Sequence, residues 1–130
     1  MDPVLKLNEP YIDSRGLIQS LVSLNEPIIQ SAVIIESKKD TVRANHYHKE
    51  DWHYCYLISG SIDYYYRDVN DTNDPIVVRI NPGDVFYTPA MVEHAMYFNE
   101  DSVFLTLGGD TRSQEDYEAD LVRVELIPSK

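Results

Sequence analysis

The chain has 130 residues, and its 22 acidic against 11 basic residues give a formal net charge of −11 at pH 7. This length suits one compact domain with its own core, so we expect a single domain over residues 1–130. Because no basic cluster could neutralise a phosphate backbone, the composition argues against nucleic acid as a partner.

No apolar run approaches the roughly 18 residues that a membrane span requires, and the N-terminal segment lacks the basic and apolar regions of a signal peptide. We therefore expect no membrane partner and a location in the cytoplasm. The single cysteine, Cys55, excludes an intramolecular disulfide, so stability must come from the core or from a bound metal.

Short strands dominate the predicted secondary structure, since stretches rich in Val, Ile and Tyr alternate with clusters of Asn, Asp, Gly and Pro. In chain order, the predicted strands are Gly16–Leu21, Gln30–Glu36, Thr41–His48, His53–Ser59, Ser61–Arg67, Ile76–Ile80, Asp84–Thr88, Glu93–Phe98 and Ser102–Leu107. The acidic segment 110–120 is predicted to hold a helical turn or an ordered loop, and 121–127 a last edge strand. Because no long helix is predicted and the strands recur at regular spacing, the pattern predicts an all-β sandwich or small barrel.

All four histidines fall on predicted strands or strand starts, in the pattern His46-Tyr47-His48, His53 and His94. Alternate residues of a strand share a face, so His46 and His48 project together, and the next antiparallel strand can bring His53 beside them. With His94, this set of nitrogen ligands suits zinc, copper, iron or nickel. The alternative interpretation is that the histidines are unrelated and are satisfied by hydrogen bonds in the core or by water.

Two motifs carry a resemblance to the cupin superfamily. The segments that resemble the first motif are Arg43-Ala44-Asn45-His46-Tyr47-His48, His53 and Ser59-Gly60. The residues with the spacing of the second motif are Gly83, Pro89, His94 and Asn99. The resemblance implies a single-domain cupin, a double-stranded β-helix or jelly-roll barrel, with one divalent transition metal ion (zinc, nickel or iron). The implied ligands are His46, His48, His53 and His94.

Two positions depart from the usual cupin pattern. The first motif usually has a glutamate where this chain has His53. The implied site is therefore all-nitrogen and favours a borderline transition metal over a hard, oxygen-seeking one. The second motif usually has a glycine after its proline where this chain has Met91, a change that affects the local turn and not the site.

The flanking residues resemble cupins that act on nucleotide-linked sugars. Segment 11–16 resembles the opening of epimerases that act on dTDP-4-dehydro-6-deoxyhexoses, and Arg43-x2-His46 resembles their active-site motif. Segments 43–49, 59–63 and 115–120 resemble related sugar-nucleotide ketoisomerases, and segment 45–49 resembles the zinc-holding domain of a capsular sugar epimerase. These resemblances imply an epimerase or ketoisomerase of polysaccharide biosynthesis whose small-molecule substrate is a nucleotide-linked 4-keto sugar.

The implied reactions share the abstraction of a proton next to a ketone, which gives an enolate that must be stabilised and reprotonated. In the epimerase resemblance His46 is the base, but an imidazole whose lone pair is committed to a metal cannot accept a proton. We therefore favour a metal that acts as a Lewis acid while another group moves the proton. The candidates are four tyrosines predicted near the pocket, namely Tyr54, Tyr64, Tyr87 and Tyr97. Of these, Tyr97 is the predicted catalytic residue.

The epimerase pattern places its catalytic tyrosine where this chain has Thr106 and Leu107, which argues against 3,5-epimerase activity. Arg43 is the other predicted catalytic residue, because a chain of charge −11 needs local positive charge wherever it binds a diphosphate. In a regular strand Arg43 lies on the face opposite to His46, so only a bulge or a place at the barrel rim lets it reach the pocket. A structural salt bridge is the alternative role.

Two other function classes stay open: a metal-dependent oxygenase or lyase acting on a small organic acid, and a non-catalytic sugar or ligand sensor. The bound metal separates them, since iron or copper favours the oxygenase, zinc favours the sugar enzyme, and zinc closed in by four histidines favours a structural or sensing role. The resemblance and the tyrosine-rich strands also predict a homodimer.

Overall fold

The computed structural model describes residues 2–21, 29–109 and 114–129, without the side chains of Gln114 and Asp116. Over these ranges the chain forms eleven strands and one short helix. In chain order they are β1 (Tyr11–Asp13), β2 (Gly16–Ile18), β3 (Ser31–Ser37), β4 (Val42–His48), β5 (His53–Ser59), β6 (Ile62–Asp68), β7 (Ile76–Ile80), β8 (Val85–Thr88), β9 (Val92–Phe98), β10 (Ser102–Gly108), α1 (Gln114–Asp120) and β11 (Leu121–Arg123).

Two antiparallel sheets face each other and enclose the core. One sheet has the strand order β3-β10-β5-β8, and the other has the order β11-β4-β9-β6-β7. Because side chains alternate along each strand, one side chain in two points between the sheets. Phe86 and Phe104 from the first sheet pack there with Ile62 and Phe98 from the second. The all-β jelly-roll fold that the sequence predicts is confirmed.

The predicted strands agree with β2 to β10 to within three residues at either end. Strand β1, which pairs with β2 in a hairpin, is not among the predicted strands. Asp13 and Arg15 form its turn, since Asp13 Oδ1 accepts the backbone N–H of Arg15 at 2.9 Å. The predicted edge strand 121–127 ends as β11 at Arg123. Residues 110–113 of the predicted acidic segment lie outside the described residues, and its remainder forms α1.

The turn between β5 and β6 requires glycine. Gly60 has a φ of +103°, and a Cβ at this position would lie 2.6 Å from the Cα of Ser102. The break predicted at Ser59-Gly60 is therefore a tight turn packed directly against β10. In the described part of the chain, no helix is both long enough and apolar enough to cross a bilayer.

Candidate functional site

Three of the four predicted ligand histidines converge between the sheets, where β4 pairs with β9. His46 and His48 share a face of β4, and His46 lies directly opposite His94 on β9. The ring centroid of His46 is 4.8 Å from that of His48 and 4.7 Å from that of His94. One ring nitrogen of each residue lies within 4.8 Å of those of the other two. The structure thus forms a buried trio of imidazoles.

His53 enters the same pocket from β5, in the opposite sheet. Its ring centroid is 4.7 Å from that of His48, and its nitrogen forms a second group with His48 and Asp51. His53 Nε2 is a buried nitrogen that lies 3.2 Å from Asp51 Oδ2, and among the described residues it makes no other polar contact of hydrogen-bonding quality. The four predicted ligand histidines therefore line one cavity, in two groups of potential ligand atoms that share His48.

Asp51 is a site residue that the sequence analysis did not identify. Its carboxylate is buried, and Oδ1 accepts the backbone N–H groups of Trp52 at 2.8 Å and Gly109 at 3.0 Å. Burial is the largest single effect and raises the pKa of Asp51, but the contacts with His53, Trp52 and His48 together outweigh it, so the pKa is lowered. The only sequence signal for Asp51 is an acid two residues before a histidine, which is too common to be informative.

The imidazoles of the trio are neutral at neutral pH. Burial, reinforced by His94 and His48, lowers the pKa of His46 from 6.5 to about 2. Burial also lowers the pKa of His94, to about 3, against the opposing effect of its hydrogen bond to Val92. The pKa of His48 is lowered as well, mainly by burial. Neutral rings keep the lone pairs that a metal ion needs.

Arg43 reaches the pocket through a β-bulge. The pairing of β4 with β9 shifts between Ala44 and His46, so that Asn45 is the extra residue and Arg43 lies opposite Met96. Met96 shares the inner face of β9 with His94, and both Arg43 and Met96 line the cavity of the histidines. The bulge that Arg43 would need to reach the pocket is thus present.

Two residues in the left-handed region build this bulge. Ala44 has a φ of 71° and Asn45 a φ of 56°. Asn45 Oδ1 accepts the backbone N–H groups of Leu126 at 3.1 Å and Ile127 at 3.2 Å, and Nδ2 donates to the carbonyl of Ile127 at 3.0 Å. The C-terminal segment therefore holds the bulge in place, and asparagine tolerates this backbone better than most residues.

The guanidinium of Arg43 is held at the solvent side of the pocket. It donates to the hydroxyl of Ser37 and, at 2.9 Å, to the backbone carbonyl of Glu36. Arg43 itself is exposed, whereas the histidines of the trio are buried. The cation is thus pre-positioned beside the cavity and does not form a buried structural salt bridge.

Tyr117 on α1 closes the other side of the cavity. Its ring centroid lies 6.1 Å from that of His46 and 5.7 Å from that of His48. The cavity has a volume of about 120 Å³, and its lining includes the four histidines, Arg43 and Tyr117. The sequence analysis assigned this acidic segment no site residue, because nothing local shows that α1 packs over the barrel.

The structure corrects the predicted placement of three of the other tyrosines and places the fourth, Tyr64, beside His94. Tyr97 alternates with the inward-facing His94 and Met96, so it lies on the outer face of β9. Its hydroxyl donates a hydrogen bond to Asp40 at 2.5 Å. Tyr54 and Tyr87 stack on each other, with ring centroids 4.5 Å apart, on the outer face of their sheet. Tyr64 is a core residue whose ring stacks on that of His94, with centroids 6.2 Å apart, and whose hydroxyl bonds Thr88 at 2.9 Å. None of these four tyrosines is among the described residues that line the cavity.

The turn before β9 keeps its shape despite the departure at Met91. Met91 has a φ of 61°, the left-handed conformation that glycine adopts readily. Its backbone N–H donates to the carbonyl of His48 at 2.8 Å, which ties this turn to the end of β4. Methionine in place of the usual glycine therefore adds some backbone strain but leaves the site intact.

Residues 33–107 match the family described as Cupin domain. No curated protein matches the chain significantly.

Several solved structures share the fold. One is a mutant of the 3,4-ketoisomerase QdtA from Thermoanaerobacterium thermosaccharolyticum in complex with TDP-4-keto-6-deoxyglucose, with 21% identity, a TM-score of 0.71, and coverage of 92% of this chain and 85% of that one. A 3,4-ketoisomerase from Helicobacter canadensis has 22% identity, a TM-score of 0.74, and coverage of 92% and 88%. The dTDP-4-dehydrorhamnose 3,5-epimerase from Sulfolobus tokodaii has 16% identity, a TM-score of 0.71, and coverage of 97% and 85%. Such identities establish a shared fold and leave the activity of this chain to its own residues.

Proposed function

Because the chain belongs to the cupin domain family, we propose that its histidine pocket is the active site of a metal-dependent isomerase. Its substrate is a nucleotide-linked 4-keto sugar, and the reaction is an epimerisation or a ketoisomerisation. The observation that carries the proposal is the bulge at Ala44 and Asn45, which puts Arg43 at the same cavity as the buried histidines. The fold shared with nucleotide-sugar isomerases supports the same substrate class.

The donor set fits a transition metal. His46, His48 and His94 offer three buried, neutral nitrogens close together, and such a set suits zinc, nickel or iron. Three protein ligands leave a position open for a substrate oxygen, as catalytic sites require. When bound, a divalent metal ion supplies a Lewis acid that polarises the keto oxygen next to the reacting carbon.

Arg43 holds the anionic part of the substrate. With a net charge of −11, the protein repels a nucleoside diphosphate unless a local cation offsets that field. The contacts of Arg43 with Ser37 and Glu36 fix its direction before substrate binds. The cavity of about 120 Å³ admits a group of about sugar-ring size, so the nucleotide lies outside, on the side of Arg43.

Tyr117 moves the proton. Imidazoles whose lone pairs bind a metal cannot also accept a proton, which excludes the trio. Tyr117 lines the cavity from α1, beside the rings of His46 and His48. In its deprotonated form, the phenolate oxygen of Tyr117 can take the proton next to the ketone and so become a phenol, which then returns that proton to the enolate.

Two copies of the chain form the working molecule. The outer face of the four-stranded sheet is apolar and uncharged along its two central rows of side chains, and such a surface fits a second copy.

The activity is tested by incubating metal-loaded protein with dTDP- and UDP-linked 4-keto sugars in deuterated water and following the ring protons by NMR. We expect the proton next to the ketone to exchange. The Tyr117→Phe variant should exchange it on the order of 10²-fold more slowly or worse, with unchanged metal content. Tyr97→Phe is the matched control, because its hydroxyl lies outside the pocket, and it should behave as the unaltered protein.

Absence of exchange with every sugar, in metal-loaded protein at high concentration, would remove the isomerase proposal. Equal exchange in the Tyr117→Phe variant would remove only the role of Tyr117. Elemental analysis of protein purified without a histidine tag identifies the bound metal independently of the activity.

The size of the cavity favours one second candidate. A volume of about 120 Å³ also suits a small organic acid, whose carboxylate Arg43 could bind. With iron or copper in the trio, the same pocket would serve an oxygenase or lyase. Redox-active metal in the purified protein, together with no proton exchange in keto sugars, would support this second function.

A further inference from the structure

We propose that Asp120 is a positioning residue, which fixes the neutral ring of His48 in the form protonated on Nδ1 and so leaves Nε2 as the nitrogen offered to the site. The identification of that nitrogen as a metal ligand rests on the proposed function. The protonated position of the ring does not, because it is a property of the metal-free protein.

The contact that carries the inference joins two distant parts of the chain. His48 Nδ1 lies 3.1 Å from Asp120 Oδ2, and both groups are largely buried, with side-chain exposures of 2% and 10%. A carboxylate can only accept a hydrogen bond, so the ring must donate from Nδ1. A neutral imidazole that donates from Nδ1 carries its lone pair on Nε2.

Asp120 is itself held from several sides. Its Oδ1 accepts the backbone N–H of Glu50 at 2.9 Å, and its Oδ2 accepts that of Asp51 at 3.2 Å. Its backbone carbonyl accepts the N–H of Lys49 at 2.9 Å. The carboxylate is therefore fixed relative to the loop after β4 and acts as a rigid reference for the ring of His48.

The ring of His94 also has a hydrogen-bond acceptor at Nδ1, but from a different kind of group. Its Nδ1 lies 3.2 Å from the carbonyl oxygen of Val92, which also accepts only. Two rings of the trio thus have Nδ1 occupied by an acceptor outside the cluster. Only the His48 partner is a side chain, so only His48 can be tested by substitution without altering the backbone.

The test uses Asp120→Asn and Asp120→Ala. Asparagine keeps the size of the side chain but replaces one acceptor with a donor. Since the backbone N–H of Glu50 makes the shorter contact, the amide oxygen should stay there and the NH₂ group should face His48. The ring of His48 can then accept a hydrogen bond from this NH₂ group only if the proton of the ring moves from Nδ1 to Nε2. Alanine removes the acceptor and should leave the proton shared between the two nitrogens.

Glu118→Gln is the matched control. It makes the same change of charge on the same helix, and Glu118 pairs with Arg123 at 2.8 Å on the surface. The protonated nitrogen of His48 is read in metal-free protein by long-range ¹H–¹⁵N correlation, which is tractable because the chain has only four histidines. Zinc affinity is measured by calorimetry, and folding is checked by circular dichroism.

In the unaltered protein and in Glu118→Gln, we expect His48 to be protonated on Nδ1. The two Asp120 variants should lose this state and bind zinc roughly 10–100-fold more weakly, the usual cost of removing a partner that orients a ligand. A purely structural Asp120 would lower the melting temperature but leave the protonated nitrogen and the zinc affinity of the folded variants unchanged.

A His48 protonated on Nε2, or on both nitrogens, in the unaltered protein would overturn the inference. So would folded Asp120 variants that keep protonation on Nδ1. If the unaltered protein shows Nδ1 protonation but binds no zinc, nickel or iron, the metal-dependent function fails while the positioning role of Asp120 stands.

Discussion

His46 and His94 differ from His53 in what surrounds their rings. The first two lie with His48 in one cluster, whereas His53 lies against Asp51 at 3.2 Å. A metal ion bound by the trio would lose a direct ligand when His46 or His94 is changed. A change of His53 would remove only a neighbour of the cluster.

We therefore expect His46→Ala and His94→Ala to weaken zinc binding far more than the about 10–100-fold loss typical of an outer partner. His53→Ala should weaken it within that range. Calorimetric titration of each folded variant measures the difference. Equal, complete loss in all three variants would show that His53 binds directly, and unchanged affinity in all three would mean that the cluster is not a metal site.

The lowered pKa values of His46 and His94 also make the stability of the metal-free protein depend on pH. Their folded pKa values are about 2 and about 3, and the unfolded value is about 6.5. Between pH 6.5 and 3 the unfolded chain binds protons that the folded chain does not. The free energy of unfolding must therefore fall as pH falls through that window and stay flat above it.

At pH 5 we expect the two rings together to cost on the order of 2–4 kcal/mol relative to pH 7.5. Urea unfolding of chelator-treated protein at several pH values measures this. His94→Asn removes one of these groups and should reduce the slope, while His46 and His48, whose pKa values are also lowered, maintain the rest. A free energy of unfolding that stays constant from pH 7.5 to 5 would show that these rings titrate normally.

At the scale of single elements, the bulge in β4 decides which side chains meet in the pocket. A regular strand would turn Arg43 away from His46. The extra residue, Asn45, reverses that parity and is held by its bonds to Leu126 and Ile127. One irregularity in one strand thus brings the cation to the imidazoles.

Asn45→Ala should destabilise the protein by about 2–4 kcal/mol, since it removes side-chain hydrogen bonds and puts a Cβ-bearing residue without local bonding at a φ of 56°. Asn45→Gly loses the same bonds but tolerates that φ. It should be about 1 kcal/mol more stable than Asn45→Ala and should retain more substrate binding. Urea unfolding and NMR line broadening of dTDP measure the two effects. Equal stability of the two variants would mean that the backbone conformation at Asn45 does not matter.

At the scale of the whole molecule, the outer face of the four-stranded sheet is the surface that two copies would share. Two cross-strand rows run over it, and neither holds a charged residue. The rows are Ala32, Leu107, Tyr54 and Tyr87, and Ile34, Leu105 and Tyr56, the second of which ends at Val85, a residue already buried within the chain. In a chain of net charge −11, an uncharged face is where two like-charged copies repel each other least.

Light scattering after size exclusion should therefore show a dimer. Ile34 belongs to the second row and is 59% exposed, and Ile58, which lies beyond that row two residues after Tyr56 on the same face of β5, is 48% exposed. Changing both to glutamate should weaken the dimer by at least about 100-fold, because each buried isoleucine contributes on the order of 1.5–3 kcal/mol. Val77→Glu is the control, since Val77 is 51% exposed on an edge strand of the other sheet. A monomeric unaltered protein, or a control that dissociates equally, would contradict this interface.

The sequence by itself determined the strands and the facing of His46 and His48, because both depend on a local two-residue period and on turn residues. It also determined that Arg43 needs a bulge to reach them. Only the tertiary structure decided that the bulge exists, because its hydrogen bonds come from the C-terminal segment, some 80 residues away. The same holds for Tyr117 and Asp120, which reach the pocket when α1 packs over the barrel. Tyr97 is a different case, because its odd spacing from His94 along β9 places the two side chains on opposite faces by the same local period. Contacts between distant segments leave no local periodicity in a sequence, and these contacts complete the site.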